Sequence, residues 1–170
     1  FTRVKQQRYD LFAPCFRHVS EAIDNIYKAL AGDTGTAYLS LEDSEEPYLE
    51  GIRFHAMPPG KRFLDMEALS GGERTMAALS LLFALHSFLP APFFILDEVD
   101  AALDNANVQR LAQYLRGLAT SRACQLLVIS LKPGLYEQAD ALVGVYRDPS
   151  QCSRPLTLRL TDYDTGNAHD

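Results

Sequence analysis

The chain has 170 residues, 47% of them hydrophobic and 22% charged, which is enough to bury one sizeable core and too apolar for a disordered chain. Its net charge of −6 excludes a protein that coats nucleic acid by bulk electrostatics and leaves only a local basic patch for such contacts. Cys15, Cys124 and Cys152 are odd in number, far apart and without a CxxC, so they support neither a disulfide framework nor a zinc site and fit a reducing, intracellular compartment.

The sequence starts at Phe1 with no basic-then-apolar leader after it, and so reads as an excerpt of a longer polypeptide. From Phe12 the apolar positions run Phe16, Val19, Ile23, Ile26 and Leu30, in steps of four and three that predict a helix with a heptad-like seam. Arg3 to Arg8 are polar and helix-compatible, so that helix can arrive from upstream. Pro14 either kinks it or opens a new helix from its first turn. An ordinary core helix and the end of a coiled coil both remain open, because fewer than three heptads are visible.

Gly32 to Gly35 predicts a turn, followed by strands over Thr36 to Glu42 and Tyr48 to Met57, with an acidic linker from Asp43 to Pro47. Alternation of Ile52, Phe54 and Ala56 with Arg53, His55 and Met57 predicts an antiparallel pair with one wet face. Pro58-Pro59-Gly60 closes the unit. Lys61 and Arg62 then read as solvated charge or as cations for a nearby phosphate or nucleic-acid backbone.

Leu69 to Asp104 carries most of the chemistry. Ser70, Gly71 and Gly72 precede a helix of about Gly72 to Leu89 that is apolar on almost every side and is expected to be buried. Residues 77–96 carry no formal charge, but Pro90 and Pro92 split the run, which favours a buried helix followed by a buried strand over a membrane span. That strand, Phe93 to Leu96, ends abruptly in Asp97 and Glu98. Asp104 is placed to cap a helix whose apolar face is Val108, Leu111, Ala112, Leu115 and Leu118. Gln125 to Ser130 is a second apolar strand. Strand, helix, strand with continuous apolar runs predicts an α/β fold with a mostly parallel sheet covered on both faces. A short helix from Lys132 through Ala139, strands over Leu142 to Tyr146 and Leu156 to Leu160, a turn at Asp148-Pro149-Ser150 and a polar, frayed tail from Asp162 complete the reading.

Acids at the carboxyl end of a buried strand face the crevice where open α/β sheets bind ligands, and there they suit a metal ion and an activated water. A complete nucleotide site also needs a GxxxxGK[ST] loop. Gly60-Lys61 is followed by Arg62 and preceded five residues earlier by His55, so the sequence contains no such loop. Out of context the four acids would be a solvated loop and Ser-Gly-Gly a plain helix start. His18, His55, His86 and His169 are too scattered for a metal site.

Leu69-Ser70-Gly71-Gly72-Glu73 resembles the signature motif of ABC-type ATPases, and Phe93 to Glu98 with Val99 to Asp104 resembles their Walker B strand and D-loop. With PAPFF, PGKRF, EEPYLEGI, IYKAL and VISLK, the resemblance narrows to the C-terminal half of a structural-maintenance-of-chromosomes (SMC) head, of the cohesin subunit whose head binds the C-terminal end of the kleisin. The resemblance implies that residues 1–31 are the end of a coiled-coil helix and that residues 32–170 are the C-terminal lobe of an ABC-type ATPase head carrying a β-hairpin. The P-loop lobe then lies far upstream, beyond a long coiled coil.

The same resemblance implies ATP and Mg²⁺ as cofactors, with Asp97 holding the Mg²⁺ water shell and Glu98 as the catalytic carboxylate. Ser70, Gly71, Gly72 and Glu73 would meet the γ-phosphate of ATP held by a second cohesin SMC head, and Asp104 would cross that interface. Implied partners are the chain's own N-terminal lobe, the second head, the kleisin C-terminal winged-helix domain and DNA. The implied setting is the nucleus and chromosome, in sister chromatid cohesion, and no membrane is involved. A docking module for kleisin and DNA, an ABC transporter ATPase and a DNA-repair ATPase of the same superfamily are the alternatives. One departure stands out: Leu131 occupies the position of the usual switch-loop histidine and cannot donate a hydrogen bond.

Overall fold

The computed structural model describes residues 1–122 and 124–160. The polar tail expected from Asp162 lies outside the described residues.

Helix α1, Thr2–Ala31, is a single helix of 30 residues that runs straight through the Pro14 position. Proline removes one N–H and leaves the Asp10 carbonyl without its helical donor. The loss falls where the helix is wet, since residues 1–11 are all exposed. Farther along, Val19, Ile23, Tyr27 and Leu30 form the buried stripe that the four-and-three spacing predicts. Gly32, at φ 116, turns the chain out of the helix while its N–H returns to Lys28 O at 2.9 Å.

Strands β1, Thr36–Leu41, and β2, Ile52–Met57, pair antiparallel from Thr36↔Met57 to Leu41↔Ile52. The second strand starts at Ile52, where the alternation begins, four residues later than the Tyr48 expected. Residues 43–50 instead form a turn segment that Lys5 reaches through Glu46 and Arg8 through the Tyr48 ring, 4.6 Å away. A two-residue strand β3, Leu64–Asp65, joins the far edge of β2.

Helix α2, Gly71–Phe88, lies between two apolar clusters. Met76, Leu79 and Phe83 pack with Leu96, Val108, Leu111 and Leu115, whereas Ala77 and Ala84 pack with Ile23, Tyr27 and Phe54 of α1 and β2. The small residues let α1 approach closely. Leu82, Leu85 and Phe88 nevertheless remain exposed, so the helix is buried on part of its circumference and bare on the rest, unlike the full burial expected.

Strand β4, Phe93–Asp97, helix α3, Asn105–Arg122, and strand β5, Gln125–Ile129, form the predicted parallel crossover, in register from Phe93↔Gln125 to Asp97↔Ile129. Helix α4, Pro133–Tyr136, ends sooner than expected and leads into the antiparallel hairpin β6, Ala141–Arg147, and β7, Ser153–Arg159. The fold is α/β, but among the described residues the strands fall into three small sheets and β4–β5 is the parallel pair. The uninterrupted apolar runs predict a mostly parallel sheet, whereas among the described residues the late strands pair only with each other. The parallel pair is also covered on one face only. Phe93, Ile95, Leu127 and Ile129, which alternate onto the other face, are 47–60% exposed. Among the described residues no helix is long and apolar enough to cross a membrane.

Candidate functional site

Ser70 leaves the short turn Met66–Ala68 in an extended conformation and becomes the N-cap of α2. Its hydroxyl accepts from Glu73 N at 3.4 Å, and Glu73 Oε2 accepts from Ser70 N at 3.0 Å, a reciprocal capping box. Lys61 Nζ sits 2.8 Å from Glu73 Oε1, so this cation braces the cap rather than standing free for a phosphate. Partial burial alone would raise the Glu73 carboxyl, but the Lys61 ammonium and the two Ser70 bonds outweigh it and hold the group below its ordinary value. Arg74 ties the preceding turn down through the carbonyls of Met66 and Glu67. The N–H groups of Gly71 and Gly72, in the first helical turn, have no intrahelical partner and mark a site for negative charge.

Gly72 is required by a neighbour. A Cβ there would lie 2.8 Å from the Ala102 carbonyl oxygen, so the loop between β4 and α3 rests directly against the glycine turn. At the start of that loop Asp97 and Glu98 are exposed. Glu98 has φ 48, a left-handed conformation that costs a non-glycine residue energy and is held by its N–H to Ile129 O at 2.9 Å and by Ala101 N to Glu98 O at 3.1 Å. Among the described residues neither carboxylate takes part in a hydrogen bond or ion pair.

Both carboxylates are therefore open to a ligand from outside the chain. No cluster of three or more His, Cys, Asp or Glu side chains that could hold a metal ion occurs among the described residues.

Asp104 caps α3 as its position suggested, accepting from Asn107 N at 2.8 Å. The caps of α2 and α3 meet at one cavity of about 210 Å³, where Glu73, Asp104, Asn107, Arg110 and Tyr27 face each other. The Tyr27 phenol is pushed up to about 12, first by burial and then by the Glu73 charge. Asp97 and Glu98 do not line this cavity. Ser70, Gly71 and Gly72 do not line it either; by element, the candidate residues fall at the carboxyl end of β4 and at the starts of α2 and α3.

Sequence reasoning passed over Asp100. It is only 2% exposed and accepts from Ser130 Oγ at 2.7 Å. Ser130 Oγ in turn accepts from Lys132 N at 3.0 Å, and Lys132 Nζ reaches Leu103 O. Leu131, between those two polar residues, is 87% exposed. Among four acids in eight residues the buried one carries no distinguishing mark, and only pairing with the loop after β5 reveals it.

The RecF/RecN/SMC N terminal domain family matches residues 55–154, more than half of the chain. The Schizosaccharomyces pombe structural maintenance of chromosomes protein 1 is 56% identical over 169 residues, covering 96% of this chain and 14% of that protein. The human structural maintenance of chromosomes protein 1B is 55% identical over 166 residues, covering 96% of this chain and 13% of that protein. The chain therefore spans about one seventh of the length of these relatives. Among solved structures, a Pyrococcus furiosus Smc head domain with an extended coiled coil, bound to the C-terminal domain of ScpA, superimposes with a TM-score of 0.85 at 33% identity, covering 95% of this chain and 40% of that one. A structure from work on ATP-driven dimerization and DNA-stimulated activation of SMC ATPases matches with a TM-score of 0.79 at 34% identity, covering 91% of both chains.

Proposed function

The chain belongs to the RecF/RecN/SMC family, and from that premise we propose that it is the C-terminal lobe of a cohesin-type SMC ATPase head, hydrolysing ATP at a composite site between two heads. Residues 1–31 are the coiled-coil end and residues 32–170 the lobe. The observation that carries this reading is the presence of two candidate groups on different elements: open carboxylates Asp97 and Glu98 at the end of β4, and a capped, phosphate-ready helix start at Ser70, Gly71 and Gly72. Two such groups on one rigid body suit two different nucleotides.

In this reading Glu98 accepts a proton from the attacking water and Asp97 holds the Mg²⁺ water shell. Mg²⁺, when bound, neutralises charge developing on the transferred phosphoryl. The N–H groups of Gly71 and Gly72 and the Ser70 hydroxyl bind the γ-phosphate of ATP on the opposite head, Glu73 keeps that serine in place, and Asp104 fixes the loop that crosses the interface. The bare face of β4–β5 receives the chain's own N-terminal lobe. The exposed hairpin β6–β7 offers the kleisin's C-terminal winged-helix domain its docking surface, in line with the ScpA-bound head described above. Sister chromatid cohesion on DNA, in the nucleus, is the setting that likeness to SMC1 proteins supports.

One experiment tests both halves of the site in the full head paired with its partner head. Glu98→Gln lowers turnover by about 100-fold or more and retains ATP-dependent head engagement. Ser70→Arg blocks engagement and leaves ATP binding to the same head intact. Near-normal turnover in the first variant, or loss of ATP binding to its own head in the second, overturns the assignment.

A further inference from the structure

The loop that carries Glu98 is tied at three successive points to the last residue of β5 and the loop after it. Glu98 N–H donates to Ile129 O, Ser130 Oγ donates to the buried Asp100 carboxylate, and Lys132 Nζ donates to Leu103 O. Ser130 Oγ also accepts from Lys132 N, so one hydroxyl orders both loops. At its other end the same loop meets Gly72 through the Ala102 carbonyl. These bonds and that close approach link the end of β5 and the loop after it, through residues 98–104, to the glycine turn of α2.

We propose that Ser130 and Lys132 are positioning residues for Glu98 and for the loop ending at Asp104, and that they carry, from either side of Leu131, the ordering role that a side chain at position 131 does not supply. The physical argument rests on Asp100. A carboxylate 2% exposed is costly to bury without a donor, and the Ser130 hydroxyl supplies one. Removing that hydroxyl drives Asp100 toward solvent, and the turn holding Glu98 in its strained left-handed conformation loses an anchor two residues away. Leu131 points into solvent and makes no such bond. Lys132 fixes the far end of the loop just before the α3 cap, so the two residues hold the loop at its middle and at its end.

This inference rests on the ATPase reading for its activity arm, and a second arm stands apart from it. In the full head with its partner head, Ser130→Ala is expected to lower kcat about tenfold, the effect of losing one hydrogen bond to a charged group, with KM for ATP unchanged. Ser130→Thr restores kcat to within about twofold, and Lys132→Met mirrors Ser130→Ala while Lys132→Arg restores. In the same variants, amide hydrogen exchange at residues 98–104 speeds up about tenfold in Ser130→Ala and not in Ser130→Thr. Unchanged exchange in Ser130→Ala, or failure of threonine to restore, overturns the positioning role. If exchange responds as expected while Glu98→Gln leaves turnover intact, the positioning of the loop stands and Glu98 loses its catalytic role.

Discussion

At the scale of single residues, the caps were readable because their chemistry is local. Ser70 and Asp104 are small polar residues at helix starts, and an N-cap needs only the next three residues to act. Asp100 was not readable, since its burial depends on Ser130, thirty positions away. The left-handed Glu98 is equally silent in sequence, where glycine or asparagine would have been the cue. Asp148 shows how far one local carboxylate can be tuned: the Ser150 hydroxyl first, then Arg154 and the Cys152 N–H, hold it down to about 2. A depressed carboxylate contributes stability that is present above its ordinary pKa and lost as pH falls through the folded value. Asp148→Asn is therefore expected to speed amide exchange in the β6–β7 turn at pH 7, with the difference from the parent shrinking as pH falls toward the folded value and vanishing below it, which NMR-detected exchange against pH will check.

Elements were legible where one periodicity covered one environment. The α3 face was predicted residue for residue because it meets a single apolar cluster. Helix α2 was harder. Its near-uniform apolar composition hides the division between surfaces buried in this chain and surfaces left open, as Phe83 and Phe88 illustrate. The continuity of α1 through Pro14 was likewise undecidable, because a missing hydrogen bond costs little on a wet helix segment. Strand β3 is too short to show a pattern. Within α2, Phe83 is 1% exposed and meets both Phe94 and Tyr114 edge-on or tilted. Phe83→Ala should cost about 3–5 kcal/mol, measured by chemical denaturation, and Leu85→Ala on the open side less than about 1 kcal/mol in this chain alone.

For the molecule as a whole, sequence reading located a parallel unit and could not see how many layers cover it. Strand alternation gives two apolar faces to β4–β5, and only the structure shows that one is bare. Exposed apolar area of this kind signals a contact surface. The expected consequence is a change of sign: Ile95→Thr with Leu127→Thr should reduce hydrophobic-dye binding by the isolated chain without lowering its melting temperature. In the full head the same pair should cost roughly 2–4 kcal/mol of stability, because there the two side chains are covered. Equal effects in both settings would show that nothing packs on that face.

The contact of Gly72 with the Ala102 carbonyl also limits how this region can vary over generations. Position 72 is read by a main-chain atom, so no replacement at position 102 can make room for a larger residue there. The usual route of paired, compensating changes is closed. Drift at the glycine turn has to wait for an insertion or deletion in the loop, and such a change would also move Glu98 and Asp104. Lineages are thus expected to keep the glycine and the loop length together or to lose both at once.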